Sequence, residues 1–388
     1  MKKTASKALM GLVAAALGIS MMASAQTQKL SACFVYVGPI GDVGWTFAHN
    51  DARLLTEKAI PGLETRYVES VPEGNALPVI DRFVSQGCKV VFTTSFGFMD
   101  QTLDAAKKYP DVIFAHASGF KRAPNMLTYM ADFYEVYYLN GMMAGALSKT
   151  GKLGYVAAFP IPELKRHISA FALGARAVNP KATVNVKWIN AWFDPAKAKE
   201  ATEALIAEGS DIMAFTEDTA TVVQTAGRKG IPSFGHYNPM LKYAPEHVIS
   251  GQIVHWEKIY IDIMKKVQNG TYTTKNLQNV DYWYLLRDKA VELGADDGVL
   301  INPKFVDALK KVNVKVGTKT MSVYDRIVQL NANLLGTKPT FHPFQGPIRD
   351  RKGILRIPAG RAASVLELNT MQWVAPGVVG EVADEPAK

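Results

Sequence analysis

The stretch that decides the fold reads Gly38-Pro39-Ile40-Gly41-Asp42-Val43-Gly44-Trp45-Thr46-Phe47-Ala48-His49-Asn50-Asp51-Ala52. It follows an apolar run over residues 32–37, which predicts a buried strand. Apolar residues then recur at helical spacing, so we expect a helix with Thr46 as its N-cap. A strand, a glycine-rich turn and a helix in this order are typical of open α/β sheets, which bind ligands at the carboxyl ends of their strands.

The turn itself argues against a nucleotide cofactor. Its glycines, Gly38, Gly41 and Gly44, have neither the spacing of a dinucleotide fingerprint nor that of a phosphate loop. Trp45 places a large flat ring at the same turn. This ring either closes the core or offers a face to an uncharged planar ligand, and the sequence leaves both interpretations open.

Residues 26–133 alternate between strand and helix patterns. Strands are predicted at 32–37, 64–69, 89–94, 112–117 and 126–130, with helices at 46–58, 75–86 and 99–108. This alternation predicts a parallel sheet with helices on both faces. Ser95 and Phe98 lie in the turn after the third strand, on the same sheet edge as Trp45. Phe98 is expected either to line a site there or to belong to the core.

The pattern restarts near residue 152 and predicts a second α/β lobe. The turn after its second strand reads Asn190-Ala191-Trp192-Phe193-Asp194-Pro195, with Asp194 as N-cap and Pro195 at the first helical position. Each lobe therefore carries a tryptophan at the carboxyl edge of its sheet. The pair is expected to clamp a planar ring, with stacking worth about 1–3 kcal/mol per base. Two unrelated surface tryptophans are the alternative.

The N-terminal residues 1–25 predict a cleavable export signal. Lys2, Lys3 and Lys7 precede an apolar stretch over 8–22, and small residues at 23–25 precede Gln26. No cysteine follows the cleavage site, so we expect a periplasmic protein without a lipid anchor. Removal of the three lysines lowers the formal net charge from +9 to +6, a modest surplus that does not favour a nucleic-acid partner.

The two cysteines, Cys33 and Cys88, stand at the amino ends of the first and third predicted strands. In a doubly wound sheet of order 2-1-3 these strands are neighbours, which makes a disulfide feasible in an exported protein. Two buried thiols are the alternative.

Catalytic and metal-binding patterns are missing from the sequence. The seven histidines show no metal-ligand spacing, and no serine lies in a nucleophile elbow. We therefore expect no enzyme activity, no cofactor and no metal. Glu217-Asp218 follows a predicted strand. One of these carboxylates is expected to accept a ligand N–H group, or the pair lies in a solvated turn.

One resemblance covers most of residues 30–300. The run Glu135…Tyr138-Leu139-Asn140-Gly141…Ala144…Leu147-Ser148-Lys149-Thr150-Gly151-Lys152-Leu153-Gly154, together with Asp194-Pro195, resembles the basic membrane protein (BMP) family. These are substrate-binding proteins of ABC importers related to the purine nucleoside receptor. The resemblance implies a type I periplasmic-binding-protein fold, in which three chain passages form a hinge between lobes. The expected divisions are lobe 1 at 26–133 and 255–285, lobe 2 at 134–254 and 286–316, and a C-terminal extension at 317–388.

The resemblance also implies a ligand and a partner. Two family aromatics that clamp a purine match Trp45 and Trp192, with Phe193 as a one-residue alternative to the second. The family aspartate and lysine associated with ribose match Tyr237 and Val254 (or His255), which favours a free base, adenine first, over a nucleoside. We expect a monomer that delivers this ligand to a membrane permease; a nucleoside-binding protein, an exported nucleoside-processing enzyme and a ligand sensor remain alternatives. The further site candidates are Thr46, Ser95, Phe98, Asp218, His236, Tyr237, Asn238 and Gln252.

Overall fold

The computed structural model describes residues 30–381, so the predicted export signal lies outside the described residues. The first half of the chain alternates strands and helices as the sequence predicts. Its elements are β1 (Ser31–Val35), α1 (Trp45–Ala59), β2 (Glu64–Val68), α2 (Ala76–Ser85), β3 (Val90–Thr93), α3 (Met99–Lys108), β4 (Ile113–Ala117), β5 (Met126–Ala131), α4 (Tyr134–Leu147), β6 (Lys152–Ala157), α5 (Pro162–Val178), β7 (Thr183–Trp188) and α6 (Pro195–Ala207).

The second half continues the pattern and then becomes less regular. Its elements are β8 (Ile212–Thr216), α7 (Thr221–Arg228), β9 (Ser233–Gly235), β10 (Val248–Val254), α8 (Glu257–Gln268), β11 (Asp281–Tyr284), β12 (Val291–Leu293), α9 (Pro303–Lys311), β13 (Asn313–Val316), β14 (Lys319–Ser322), α10 (Val323–Leu334), β15 (Ile348–Arg349), β16 (Leu355–Ile357), α11 (Val365–Asn369) and β17 (Val378–Val379).

Two sheets form the centres of two lobes. The first has the order β11-β5-β4-β3-β1-β2, with all neighbours parallel. The second has the order β12-β10-β9-β8-β6-β7-β17 and is parallel except for β12, which runs antiparallel to β10. Each sheet reverses its strand order beside its first strand, β1 or β6, which is where open α/β sheets form ligand crevices.

The chain crosses between the two sheets three times. The crossings run from β5 to α4, from β10 to α8, and from β11 to β12. In the described range no helix combines the length and the apolar character that a bilayer crossing requires.

The residues after 317 pack mainly on lobe 2. β14 forms a hairpin with β13, and β17 joins the edge of the second sheet by pairing with β7. The Ala375 backbone N–H donates to Ser169 Oγ of α5 at 3.0 Å. Asn369 reaches the first lobe and donates to the Gly119 carbonyl at 3.2 Å. The extension therefore has an ordered place in the fold, which its sequence pattern alone does not reveal.

The start of α1 differs from the prediction that Thr46 is its N-cap. The helix begins at Trp45, and the carboxylate of Asp42 accepts the backbone N–H groups of Gly44, Thr46 and Phe47 at 2.7–3.0 Å. Asp42 therefore satisfies free N–H groups of the first turn from outside the helix. The hydroxyl of Thr46 instead accepts the N–H of Gly38 at 3.2 Å and fixes the preceding turn.

Cys33 and Cys88 form a disulfide in the structure, with their Cα atoms 6.1 Å apart. The strand order places β1 between β2 and β3, as the sequence argument requires. Both residues are buried in a core cluster beneath α2 and α3. The bridge therefore ties the loop before β3 to the neighbouring strand β1.

Candidate functional site

The candidate site is a cleft between the carboxyl edges of the two sheets. Every residue that lines it lies in a turn after a strand or at the start of the following helix. The lining residues are Val37, Trp45, Ser95, Phe96 and Ser118 from lobe 1, and Ile161, Glu163, Trp192, Asp218 and Tyr237 from lobe 2. The lobes are nearly closed on this cleft, whose enclosed space is about 10 Å³, roughly enough for one water molecule. A larger ligand therefore needs the lobes to separate before it can enter.

Trp45 both belongs to the core and lines the cleft. Its side chain is only 6% exposed, and its ring packs edge-on against Trp256 and Tyr237 at centroid distances of 5.1 and 5.5 Å. Its indole N–H donates to the Thr94 carbonyl at 2.5 Å. These contacts fix the orientation of the ring, which closes the core of lobe 1 and also lines the cleft.

Trp192 enters the cleft from the opposite lobe. It is partly buried, packs edge-on against Phe159 at 5.1 Å, and donates its indole N–H to Glu73 Oε1 of lobe 1 at 3.3 Å. Its neighbour Phe193 is 41% exposed and faces the open groove at the mouth of the cleft rather than its interior. The structure therefore brings Trp192, rather than Phe193, to the same cleft as Trp45.

Asp218 presents a buried carboxyl group to the cleft. It is 1% exposed, and neither carboxyl oxygen has a hydrogen-bond partner among residues 30–381. Burial raises its pKa and the nearby charges of Asp42, Glu217 and Glu163 raise it further, while the approaching backbone N–H of Trp45 opposes the rise. A buried polar group without a partner costs roughly 1–3 kcal/mol, a cost that a ligand can remove by supplying the partner.

The two lobes touch directly beside Asp218. A Cβ atom added to Gly44 would lie 2.5 Å from the Asp218 Cα, so only glycine permits this approach. The side-chain amide of Asn238 donates to the carbonyls of Val43 and Gly44 at 2.9 and 3.1 Å. Asn238 therefore joins the lobes at the rim and is not among the residues that line the cleft.

Several turns around the cleft hold strained backbone conformations. Val43, Ser118, Asn190 and Tyr237 have positive φ angles of 64°, 62°, 50° and 65°. Such angles are uncommon for residues other than glycine and cluster at functional sites. In Tyr237 the conformation places a buried aromatic ring between Trp45 and the second sheet.

The structure separates the remaining sequence candidates. Ser95 lines the cleft and donates its hydroxyl to Glu73 Oε1. Phe98 is fully buried in the core of lobe 1, and Phe96 lines the cleft in its place. Both residues belong to one short 3-10 turn, Phe96–Phe98, whose direction decides which ring faces outward.

His236 and Gln252 lie behind the cleft wall. His236 Nδ1 contacts Gln252 Oε1 at 3.1 Å and the Tyr137 hydroxyl at 3.2 Å, and both residues are buried. Burial lowers the pKa of His236 well below its ordinary value. This pair supports the backbone that carries Tyr237, and it does not line the cleft.

Sequence reasoning missed two acidic residues at the cleft. Glu163 lies in the first turn of α5 and accepts the Ser118 hydroxyl across the lobes. Glu73 lies at the cleft mouth and joins Ser95 to Trp192. The position of Glu163 just after strand β6 is a signal that could have identified it, since ligands bind at that edge. Within residues 30–381 no group of three His, Cys, Asp or Glu side chains is arranged to hold a metal ion.

Residues 29–326 match the family of ABC transporter substrate-binding proteins described as PnrA-like (Bmp). The chain belongs to this family. Its members are substrate-binding proteins, which bind a small-molecule ligand and deliver it to a permease, and they are not enzymes. They act in the periplasm or outside the cell.

Two relatives of this PnrA-like protein are named for different ligands. A purine-binding protein of Brucella abortus is 37% identical over 353 residues, which cover 90% of this chain and 93% of the relative. A Haloferax volcanii ABC transporter protein, provisionally named as glucose-binding, is 39% identical over 245 residues, which cover 63% of each chain.

Solved structures establish the fold. An ABC transporter solute-binding protein of Conexibacter woesei superposes with a TM-score of 0.59 at 20% identity, covering 81% of this chain and all of its own. A transcriptional activator of the comK gene from Bacillus halodurans superposes with a TM-score of 0.60 at 21% identity, covering 79% of this chain and 98% of its own. The type I periplasmic-binding-protein fold expected from the sequence is thus confirmed.

Proposed function

We propose that this protein binds a purine base, adenine first, between Trp45 and Trp192 and delivers it to the permease of an ABC importer. The observation that carries the proposal is the cleft in which one tryptophan from each lobe and the unpartnered carboxyl of Asp218 meet. Two indole rings supply flat apolar faces, and Asp218 supplies a polar group for the edge of the ligand. A planar heterocycle with N–H groups is complementary to both.

Closure of the lobes fits this proposal. Asn238, Glu73 and Glu163 each make a hydrogen bond to the opposite lobe around the cleft. A ligand enclosed between these contacts loses its water shell, which strengthens the hydrogen bonds to its polar edge. Hinge closure of this kind is common among periplasmic binding proteins.

The preference for a base over a nucleoside rests on Tyr237 and on the two residues that match the family lysine. Tyr237 matches the family aspartate associated with ribose, and it lines the cleft with a buried ring. Neither Val254 nor His255, which match the family lysine, is among the lining residues. Ribose hydroxyls buried without partners would cost about 1–3 kcal/mol each, so a nucleoside is expected to bind more weakly.

A sugar ligand is the second candidate, because one relative is provisionally named as glucose-binding. Aromatic faces also pack against sugar rings, but a sugar presents hydroxyl groups all around its ring and needs many polar partners. The cleft supports the purine better, since aromatic and aliphatic side chains make up most of its lining.

We further propose the lobe assignment 26–133 with 255–285 and 134–254 with 286–316, a monomeric state, and export to the periplasm through the N-terminal segment. The two sheets support the lobe assignment, because β11 joins the first sheet and β12 the second.

Mass spectrometry of the ligand released from denatured purified protein tests the proposal. Calorimetry on ligand-free protein then compares adenine, hypoxanthine, guanine, adenosine, inosine and glucose. We expect adenine to bind most tightly and to raise the unfolding free energy by about 2.7 kcal/mol at a hundred times its dissociation constant. Tighter binding of adenosine or inosine than of every base would contradict the base assignment, and tighter binding of glucose would contradict the purine assignment.

A further inference from the structure

The charge of the cleft restricts the kind of purine that it accepts. Glu163 and Asp218 line the cleft, and no Lys or Arg stands among the described residues that do so. Both acids are at least nine-tenths buried. A negatively charged ligand would therefore meet carboxyl groups at close range in a water-poor site, where electrostatic interactions are screened less than at the surface.

Asp218 is the side chain that demands a partner. Both of its oxygens lie buried at the cleft with no hydrogen-bond partner in residues 30–381. The charged groups nearest to it are Asp42 in the turn before α1, Glu217 beside it and Glu163 at the start of α5, all of them acidic, and the backbone N–H of Trp45 also approaches it. Because none of these supplies a positive charge, the missing partner is best supplied by N–H groups of the ligand.

Glu163 extends this acceptor surface across the interface. Within residues 30–381 its side chain accepts one hydrogen bond, from the hydroxyl of Ser118 at the carboxyl end of β4 in lobe 1. A carboxylate has about four acceptor positions, so this single hydrogen bond leaves Glu163 able to accept from a ligand as well. Two acids on the same wall then face one edge of the bound ring.

We propose that Asp218 and Glu163 select purines that donate N–H groups and carry no negative charge, and that they exclude anionic purines such as xanthinate, urate and nucleotides. This inference rests on the proposed function and specifies its substrate class. Adenine fits, because its amino group and its ring N–H are donors. Xanthine and urate do not fit, because each loses a ring proton near neutral pH.

The test is calorimetry with a set of purines. It separates the requirement for an N–H donor from the exclusion of negative charge. Adenine and 6-methylpurine have nearly the same shape, but a methyl group replaces the amino donor, so 6-methylpurine should bind at least about tenfold more weakly. Xanthine, measured above its own ring pKa, should bind at least about a hundredfold more weakly than adenine. Hypoxanthine serves as the neutral counterpart of xanthine and should bind measurably.

Amide variants test the residues themselves. Glu163→Gln should reduce the adenine-to-xanthine affinity ratio by about tenfold or more, since it removes a carboxyl group that faces the ligand. Asp218→Asn should reduce the ratio by a smaller factor, because its raised pKa already lowers the negative charge that the substitution removes. Glu217→Gln is the matched control, because Glu217 is equally buried, adjacent and acidic, but is held by Thr219 and does not line the cleft. We expect this control to leave the ratio within about threefold. Thermal unfolding of each ligand-free variant verifies its folding.

The outcomes distinguish this inference from the proposed function. If adenine binds but xanthine or urate binds equally well, the charge selection is wrong and the purine function stands. If the amide variants bind purines with an unchanged ratio, the selection exists but these two residues do not cause it, which also overturns the inference. If no purine binds the ligand-free protein, the proposed function fails and the inference fails with it.

Discussion

Replacing Trp192 by alanine isolates one face of the proposed clamp. Trp192 is only partly buried and packs mainly against Phe159, so its removal opens no large cavity in the core of lobe 2. The variant also loses the indole N–H bond to Glu73. Stacking on one aromatic face is worth about 1–3 kcal/mol, so we expect adenine to bind about five- to 150-fold more weakly. Calorimetric titration measures the change.

Phe193→Ala is the matched control for this variant. Phe193 is the adjacent aromatic residue, is exposed and lines the mouth of the cleft rather than its interior, so its removal should change the affinity by less than about twofold. The comparison also decides which of the two residues corresponds to the second aromatic of the family. Near wild-type affinity for Trp192→Ala, or a larger loss for Phe193→Ala, would refute the reasoning.

Three further predictions concern stability and covalent structure. Trp45→Ala should lower the unfolding free energy by about 3–5 kcal/mol, because the ring is buried against Trp256; urea denaturation showing a loss below about 1 kcal/mol would contradict this. Peptide mapping without reductant should find Cys33 linked to Cys88, whose Cα separation suits a disulfide, whereas free thiols at both positions would oppose it. Burial raises the pKa of Glu135 to about 8 from its ordinary 4.5, so stability should fall as pH rises between these values, by up to about 1.4 kcal/mol per unit. Urea denaturation across this range should show a smaller slope for Glu135→Gln, and an equal slope would contradict the assignment.

The sheet architecture could be predicted from sequence because its signals are local. Apolar runs such as 32–37 and the glycine-rich turns between them recur along the chain, and the strands in the structure lie within a few residues of the predicted ones. The extension after residue 317 could not be placed in this way. Its strand β17 has two residues and exists only because the edge of β7 is available for pairing.

The candidate site was predictable in position but not in its details. The sequence places Trp45 and Trp192 at the edges of two sheets, and the structure brings both to one cleft. The sequence does not show that Phe96 rather than Phe98 faces the cleft, since the direction of a 3-10 turn decides this. Nor does it show that Asp218 lacks a partner, because that depends on how closely Gly44 of the opposite lobe approaches.

A crystal structure of the protein with adenine tests the central claim most directly. The account predicts density for the purine ring between the lobes, about 4 Å from the indole faces of both Trp45 and Trp192, with an N–H group donating to Asp218. A ligand bound outside this cleft, or held there without contact to either indole face, would contradict it.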